Sequence, residues 1–150
     1  MAHSYVSCLV HYIFSTKNRR KMIRSDIRER LWSYIGGIAR ENKIGVYKIG
    51  GTADHIHILV SLSSTMPIAK AVQLIKAGSS GWIRGQGVPF RKFEWQKGYG
   101  AFSVSISGKQ KTVEYIEQQE EHHRTNTFKD EFIAFWKKHH IEYDEKYIWD

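Results

Sequence analysis

His55 and His57 flank one isoleucine and lead into the apolar run Ile58-Leu59-Val60. In a β-strand, residues i and i+2 point to the same face. The two imidazoles therefore project side by side, while Ile56 and Ile58 point the other way. Such a pair supplies two nitrogen ligands for a divalent metal. The plainer alternative is a pair of half-buried strand histidines satisfied by hydrogen bonds. Later in the chain, Tyr115 and Gln119 stand four residues apart, which puts both on one face of a helix. Val113 and Ile116 lie on a different side and can anchor that helix. A tyrosine hydroxyl is a nucleophile only when assisted, because a free phenol ionises near pH 10.

The elements that must position these groups follow from periodicity. Residues 5–14 are apolar and rich in β-branched and aromatic types, which predicts a buried strand. Lys17-Asn18-Arg19-Arg20-Lys21 reads as a basic loop. Ser25 is a plausible N-cap for a helix with Ile27, Leu31, Tyr34, Ile35 and Ile38 on one face. Residues 45–51 and 55–62 read as strands joined by a turn at Thr52-Ala53-Asp54. Ser64 or Thr65 is expected to cap a second helix with Pro67 in its first turn, presenting Ile68, Ala71, Val72, Ile75 and Trp82. Residues 85–100 form an irregular basic and aromatic connection, and 101–106 a strand. Ser107 and Gln110 fit a capping box for a third helix running to about His123. A helix over 128–139 and an aromatic tail (Tyr143, Tyr147, Trp149) complete the chain. The order β-α-β-β-α-β, then α, predicts an α+β, ferredoxin-like split βαβ fold over a single domain, 1–150. It has a four-stranded antiparallel sheet with helices on one face, plus a C-terminal tyrosine-bearing helix. The open face is the expected place for the histidines.

The chain has 150 residues and a formal charge of +8. Residues 1–100 hold sixteen Lys/Arg against five Asp/Glu, and 101–150 hold seven against ten. A basic body with many aromatics points to a polyanionic partner, most simply nucleic acid. Arg19, Arg20, Lys21, Arg24, Arg91, Lys92 and Lys97 are candidate phosphate contacts. Phe93, Trp95 and Tyr99 are candidates for stacking unpaired bases. Each of these could equally be a solvated charge or a packing aromatic. No apolar run approaches a membrane span, and no signal peptide is read at the start. One cysteine, Cys8, excludes an intrachain disulfide, and a reducing cytoplasm fits.

Several segments together resemble a known family. Residues 7–17, 50–60, 113–123 and 141–147 are similar to the single-tyrosine HUH transposases of the smallest bacterial insertion sequences and their REP-associated relatives. The resemblance covers nearly the whole chain and is intact at the histidine pair, the tyrosine and the glutamine. It implies an endonuclease and transposase that breaks and rejoins single-stranded DNA at hairpin-marked element ends. Tyr115 would attack the scissile phosphate, giving a 5′-phosphotyrosine and a free 3′-OH. His55, His57 and Gln119 would hold Mg2+ or Mn2+. A homodimer is implied, each tyrosine helix completing the other subunit's site in trans. Gly108, at the start of that helix, would be either a hinge or a residue of a capping turn. The sequence offers no dedicated general base. His122 lies near enough to the site to matter, while His123 is expected to point elsewhere. His3 and His11 read as structural, and His139 and His140 as helix C-terminal residues.

Other readings compete with this one. A histidine-triad hydrolase would need a third histidine at position 59, which is leucine. A replication initiator or relaxase shares the chemistry but usually sits in a longer chain, and a domesticated relative stays open. A non-catalytic RNA-binding sheet would need aromatics on its central strands, and residues 55–62 carry none.

Overall fold

The computed structural model describes residues 4–123 and 127–142. Four strands form one antiparallel sheet: β1 (Leu9–Ser15), β2 (Gly45–Gly51), β3 (His55–Ser61) and β4 (Gly100–Val104), in the order β2-β3-β1-β4. Helices α1 (Ser25–Glu41) and α2 (Ile68–Arg84) are the two crossovers. After β4 come α3 (Lys109–Glu117), α4 (Gln119–His122) and α5 (Phe128–Lys138). The expected split βαβ order is therefore present. His3, Tyr143, Tyr147 and Trp149 lie outside the described residues, as does the side chain of His122. Among the described residues no helix is long and apolar enough to cross a membrane.

Strand alternation sorts the central pair of strands between two cores. Val10, Tyr12 and Phe14 of β1 and Ile56, Ile58 and Val60 of β3 face α1 and α2. There they pack with Ile27, Leu31, Ile35, Ala71, Val72 and Ile75. Each such apolar side chain contributes roughly 1.5–3 kcal/mol when fully buried. The other face carries Leu9, His11, Ile13, His55, His57 and Leu59. It is not open. Leu9 and Leu59 pack on Ile116 of α3, and Ile13 and Phe102 pack on Phe128 and Phe132 of α5. Every residue of β1 is consequently buried.

Two glycines on the flanking strands set how closely this second helical layer approaches. A Cβ on Gly50 of β2 would lie 2.6 Å from the Ile116 carbonyl oxygen. A Cβ on Gly100 of β4 would lie 2.6 Å from the Phe132 ring. Bare backbone at both positions seats α3 and α5 directly on the sheet.

The helix starts differ from expectation in detail. Ser25 is the first residue of α1, whose N-cap is Arg24, and no side chain caps it. Pro67 itself is the N-cap of α2, so Ser64 and Thr65 lie too far upstream. A 3-10 turn, Ile106–Gly108, precedes α3, and the capping oxygen is that of Ser105, not Ser107. It accepts from Gly108 N at 3.1 Å. Strand β1 starts at Leu9 rather than residue 5, and Tyr5 is 96% exposed. The helix expected to run unbroken to His123 is interrupted at Gln118.

Candidate active site

β3 delivers both histidines to the α3–α5 face, each 0% exposed. Their ring centroids are 5.2 Å apart. The outer nitrogen of each is held from behind. His55 Nδ1 lies 2.8 Å from Asp54 Oδ1 and 2.9 Å from Thr52 Oγ1, both on the turn that opens β3. His57 Nδ1 lies 2.8 Å from His11 Nε2 on β1. Both Nε2 atoms therefore aim at the same point, which is how paired ligands are usually oriented.

Helix periodicity brings the other groups there. Gln119 is 1% exposed and its Oε1 is 3.0 Å from His55 Nε2. Its Nε2 donates to the Tyr115 carbonyl at 3.3 Å, tying the start of α4 to α3. Glu131 of α5, 5% exposed, places Oε1 2.8 Å from His57 Nε2 and 3.7 Å from His55 Nε2. Its other oxygen accepts from the Tyr115 hydroxyl and from His123 Nε2, the latter at 3.1 Å. Ligand atoms of His55, His57, His123 and Glu131 all fall within 4.8 Å of one another. Three imidazoles and a carboxylate in that space suit a borderline divalent cation.

Burial decides the protonation states. Desolvation brings His57 down to about 4, against the raising effect of Glu131, so its ring is neutral at pH 7. Burial, with His57 nearby, also holds His11 well below the usual histidine range. Burial alone would raise Glu131, but hydrogen bonds from His123 and His57 overcome it and keep the carboxylate ionised. Burial and then the Glu131 charge push Tyr115 above the ordinary phenol range. Asp54 would be raised by burial too, yet His55 holds it below the normal carboxylate range.

Of the residues expected at the site, His55, His57, Tyr115 and Gln119 come together, and they do so within one chain. The resemblance implied a site completed in trans. Here α3 packs on its own β2 and β3, so Tyr115 meets the histidines of the same chain. Gly108 is the N-cap of α3 with φ −92 and ψ −3, ordinary right-handed angles.

Three further side chains lie against the site. His123 does not point elsewhere; it is four residues beyond Gln119 and continues the same helical face as Tyr115 and Gln119. His11, read as structural, stands against the site, where β1 alternation and the β1–β3 pairing set it diagonally beside His57. Glu131 carries no spacing signal at all, because only the packing of α5 places it.

The basic residues divide. Lys17, Arg20, Arg91 and Lys92 line one cleft, together with Arg84 from the end of α2. Arg19 and Lys21 are exposed on the adjoining loop. That loop borders the histidines, since Thr16 N donates to the Asp54 carbonyl at 2.9 Å. Arg24 instead pairs with Asp26 and stands over Phe90, and Lys97 lines a separate pocket with Lys76 and Tyr99. Phe93 and Trp95 are core residues. Trp95 is 8% exposed, meets Phe14 and Phe93 edge-on, and donates Nε1–H to Ser79 Oγ at 2.9 Å. Neither ring presents a face to a base.

Comparison with known proteins shows the family. The family model described as "Transposase IS200 like" matches residues 4–119. The chain is 25% identical over 124 residues to the insertion sequence IS200 transposases of Salmonella typhimurium and Salmonella typhi. Those matches span 79% of this chain and 81% of each relative. Among solved structures, a Deinococcus radiodurans protein assigned as a transposase shares the fold with a TM-score of 0.62 at 21% identity. That match covers 79% of this chain and 96% of the other. A REP-associated tyrosine transposase bound to a REP hairpin gives 0.58 at 14% identity, over 79% and 70%. With the family pattern spanning both the histidine strand and the tyrosine helix, this chain belongs to the IS200-like transposase family.

Proposed function

We propose that this chain cleaves and rejoins single-stranded DNA at hairpin-marked ends, with Tyr115 as the nucleophile. The observation that carries the reading is the hydrogen bond from the Tyr115 hydroxyl to Glu131, inside the cluster formed by His55, His57 and His123. In the reaction, the phenolic oxygen forms a bond to phosphorus and the bond from phosphorus to the 3′ oxygen breaks. The products are a 5′-phosphotyrosine and a free 3′-OH, so the phosphodiester energy is conserved for rejoining.

His55 and His57 would hold a divalent metal through Nε2, with oxygen from Gln119 or Glu131. A bound Mg2+ or Mn2+ would polarise the phosphate and stabilise the departing 3′ oxygen. Imidazole ligands favour Mn2+ of the two. Glu131 Oε2 accepts the hydrogen bond from the phenolic O–H and would receive its proton as the phosphorus bond forms. Gln119 orients Tyr115 by binding its carbonyl. The basic cleft beside the histidine turn would hold the DNA backbone. The REP hairpin bound by the structural neighbour supports a hairpin as partner. A homodimer exchanging tyrosine helices, as the resemblance implies, would require Ile116 to leave its own Gly50 and seat on that of the partner subunit.

The test is a denaturing gel with Mn2+ and labelled single-stranded hairpin oligonucleotides of varied flanks. Wild type should give a slow-migrating covalent band on 5′-phosphate-side label, and Tyr115→Phe should give none while still binding. An adduct formed equally by the Phe variant would overturn the role of Tyr115.

A further inference from the structure

His11 takes no part in the chemistry above, yet it is buried against the site. It is 2% exposed, projecting from β1 on the face it shares with His55 and His57. Its Nε2 lies 2.8 Å from His57 Nδ1, and its ring meets Phe135 of α5 edge-on at 5.2 Å.

The hydrogen-bond pattern fixes where the protons are. An ionised carboxylate only accepts. His57 Nε2, 2.8 Å from Glu131 Oε1, therefore donates and carries the ring proton. With a single ring proton, His57 then has a bare Nδ1, which accepts from His11 Nε2–H at 2.8 Å. In that tautomer His57 cannot ligate through Nε2, because a ligating nitrogen needs its lone pair. For Nε2 to ligate, the ring proton must sit on Nδ1, and the atom facing Nδ1 must turn from donor to acceptor. That atom is His11 Nε2. A neutral imidazole is one of the few buried groups able to play both parts at one nitrogen. His55 differs: oxygens of Asp54 and Thr52 face its Nδ1 and can accept from it throughout.

Given the metal site proposed above, we propose that His11 is a positioning residue for it, selecting the His57 tautomer whose Nε2 can ligate. With a metal held at His57 Nε2, the His57 ring proton would sit on Nδ1 and be accepted by His11 Nε2, and His11 would carry its own proton on Nδ1, so the imidazole pair would hold the same number of protons in both arrangements.

Titration calorimetry with Mn2+ alone tests this on the full chain, with the metal-free thermal midpoint measured for every variant. His11→Leu should bind Mn2+ about 10–100-fold more weakly than wild type, the usual effect of losing a group that orients a ligand. His11→Gln, which keeps a donor and an acceptor, should stay within about threefold of wild type. The two variants should have similar midpoints, and His11→Phe serves as a second apolar replacement if the Leu chain does not fold. Wild-type affinity in the apolar variants, or equal losses in Gln and Leu, would show that His11 only packs. His57→Ala separates the two readings: if it too keeps Mn2+ affinity, the metal site itself is wrong.

Discussion

Tyr115 donates its hydroxyl to Glu131, a carboxylate sixteen residues further along the chain. The same carboxylate accepts from His57 and His123, so one side chain of α5 ties Tyr115 to two imidazoles of the cluster. Replacing it separates two consequences. Glu131→Gln keeps the shape and removes the charge. Adduct formation should slow by roughly 10²-fold or more, as for loss of a general base, with hairpin binding retained. A rate that is unchanged or faster would mean that Glu131 shields Tyr115 and does not serve it.

The neutral, buried His57 makes stability depend on pH. Its folded pKa, about 4, lies below the unfolded value near 6.5. Between those values the unfolded chain binds a proton that the folded chain does not, so stability rises with pH across that window. Glu131, also depressed in the fold, acts in the same direction at lower pH. The metal-free thermal midpoint should be flat near pH 7–8 and fall as pH drops from about 6.5 to about 4. His57→Gln should flatten that fall; an equally steep decline in the variant would assign it to other groups.

Gly50 sets the seat of the tyrosine helix. A Cβ there meets a backbone carbonyl, which cannot swing aside as a flexible side chain would. Gly50→Val should displace α3 and cost about 1–3 kcal/mol. Adduct formation should be lost while far-UV circular dichroism and hairpin binding persist. Full activity in this variant would show that the close contact with Ile116 is dispensable.

Arg91 and Lys92 face the basic cleft at the histidine end of the sheet. The double change Arg91→Ala, Lys92→Ala should weaken hairpin binding evenly across loop sequences. It should also reduce the slope of log affinity against log salt by about 2, one per lost phosphate contact. Fluorescence anisotropy at several salt concentrations reads both. An unchanged slope would place the DNA elsewhere on the protein.

Local periods carry part of the site. The two-residue alternation of β3 put His55 and His57 on one face and Ile56 and Ile58 on the other. The four-residue spacing of Tyr115 and Gln119 put both on one helical face, and the same spacing held the signal for His123. Strand alternation and helix pitch are properties of a few consecutive residues, so the sequence carries them directly. Even the helix caps show the limit of this. Ser107 has the residue type of a cap, but it lies inside a 3-10 turn capped by Ser105, and the N-cap of α3 is Gly108, with no side-chain cap.

The tertiary structure decided which faces meet. Phe93 and Trp95 lie among basic residues and suit base stacking by type, yet Trp95 closes the core against Phe14 and Ser79. The sheet face that element order left open is covered by α3 and α5, seated on Gly50 and Gly100. Glu131 reaches His57 across seventy-four residues and His11 reaches it across forty-six. By itself the sequence determined the histidine pair, the tyrosine and the strand order that carries them. Long-range packing, which no local period encodes, brought the Glu131 carboxylate and the His11 imidazole to their side.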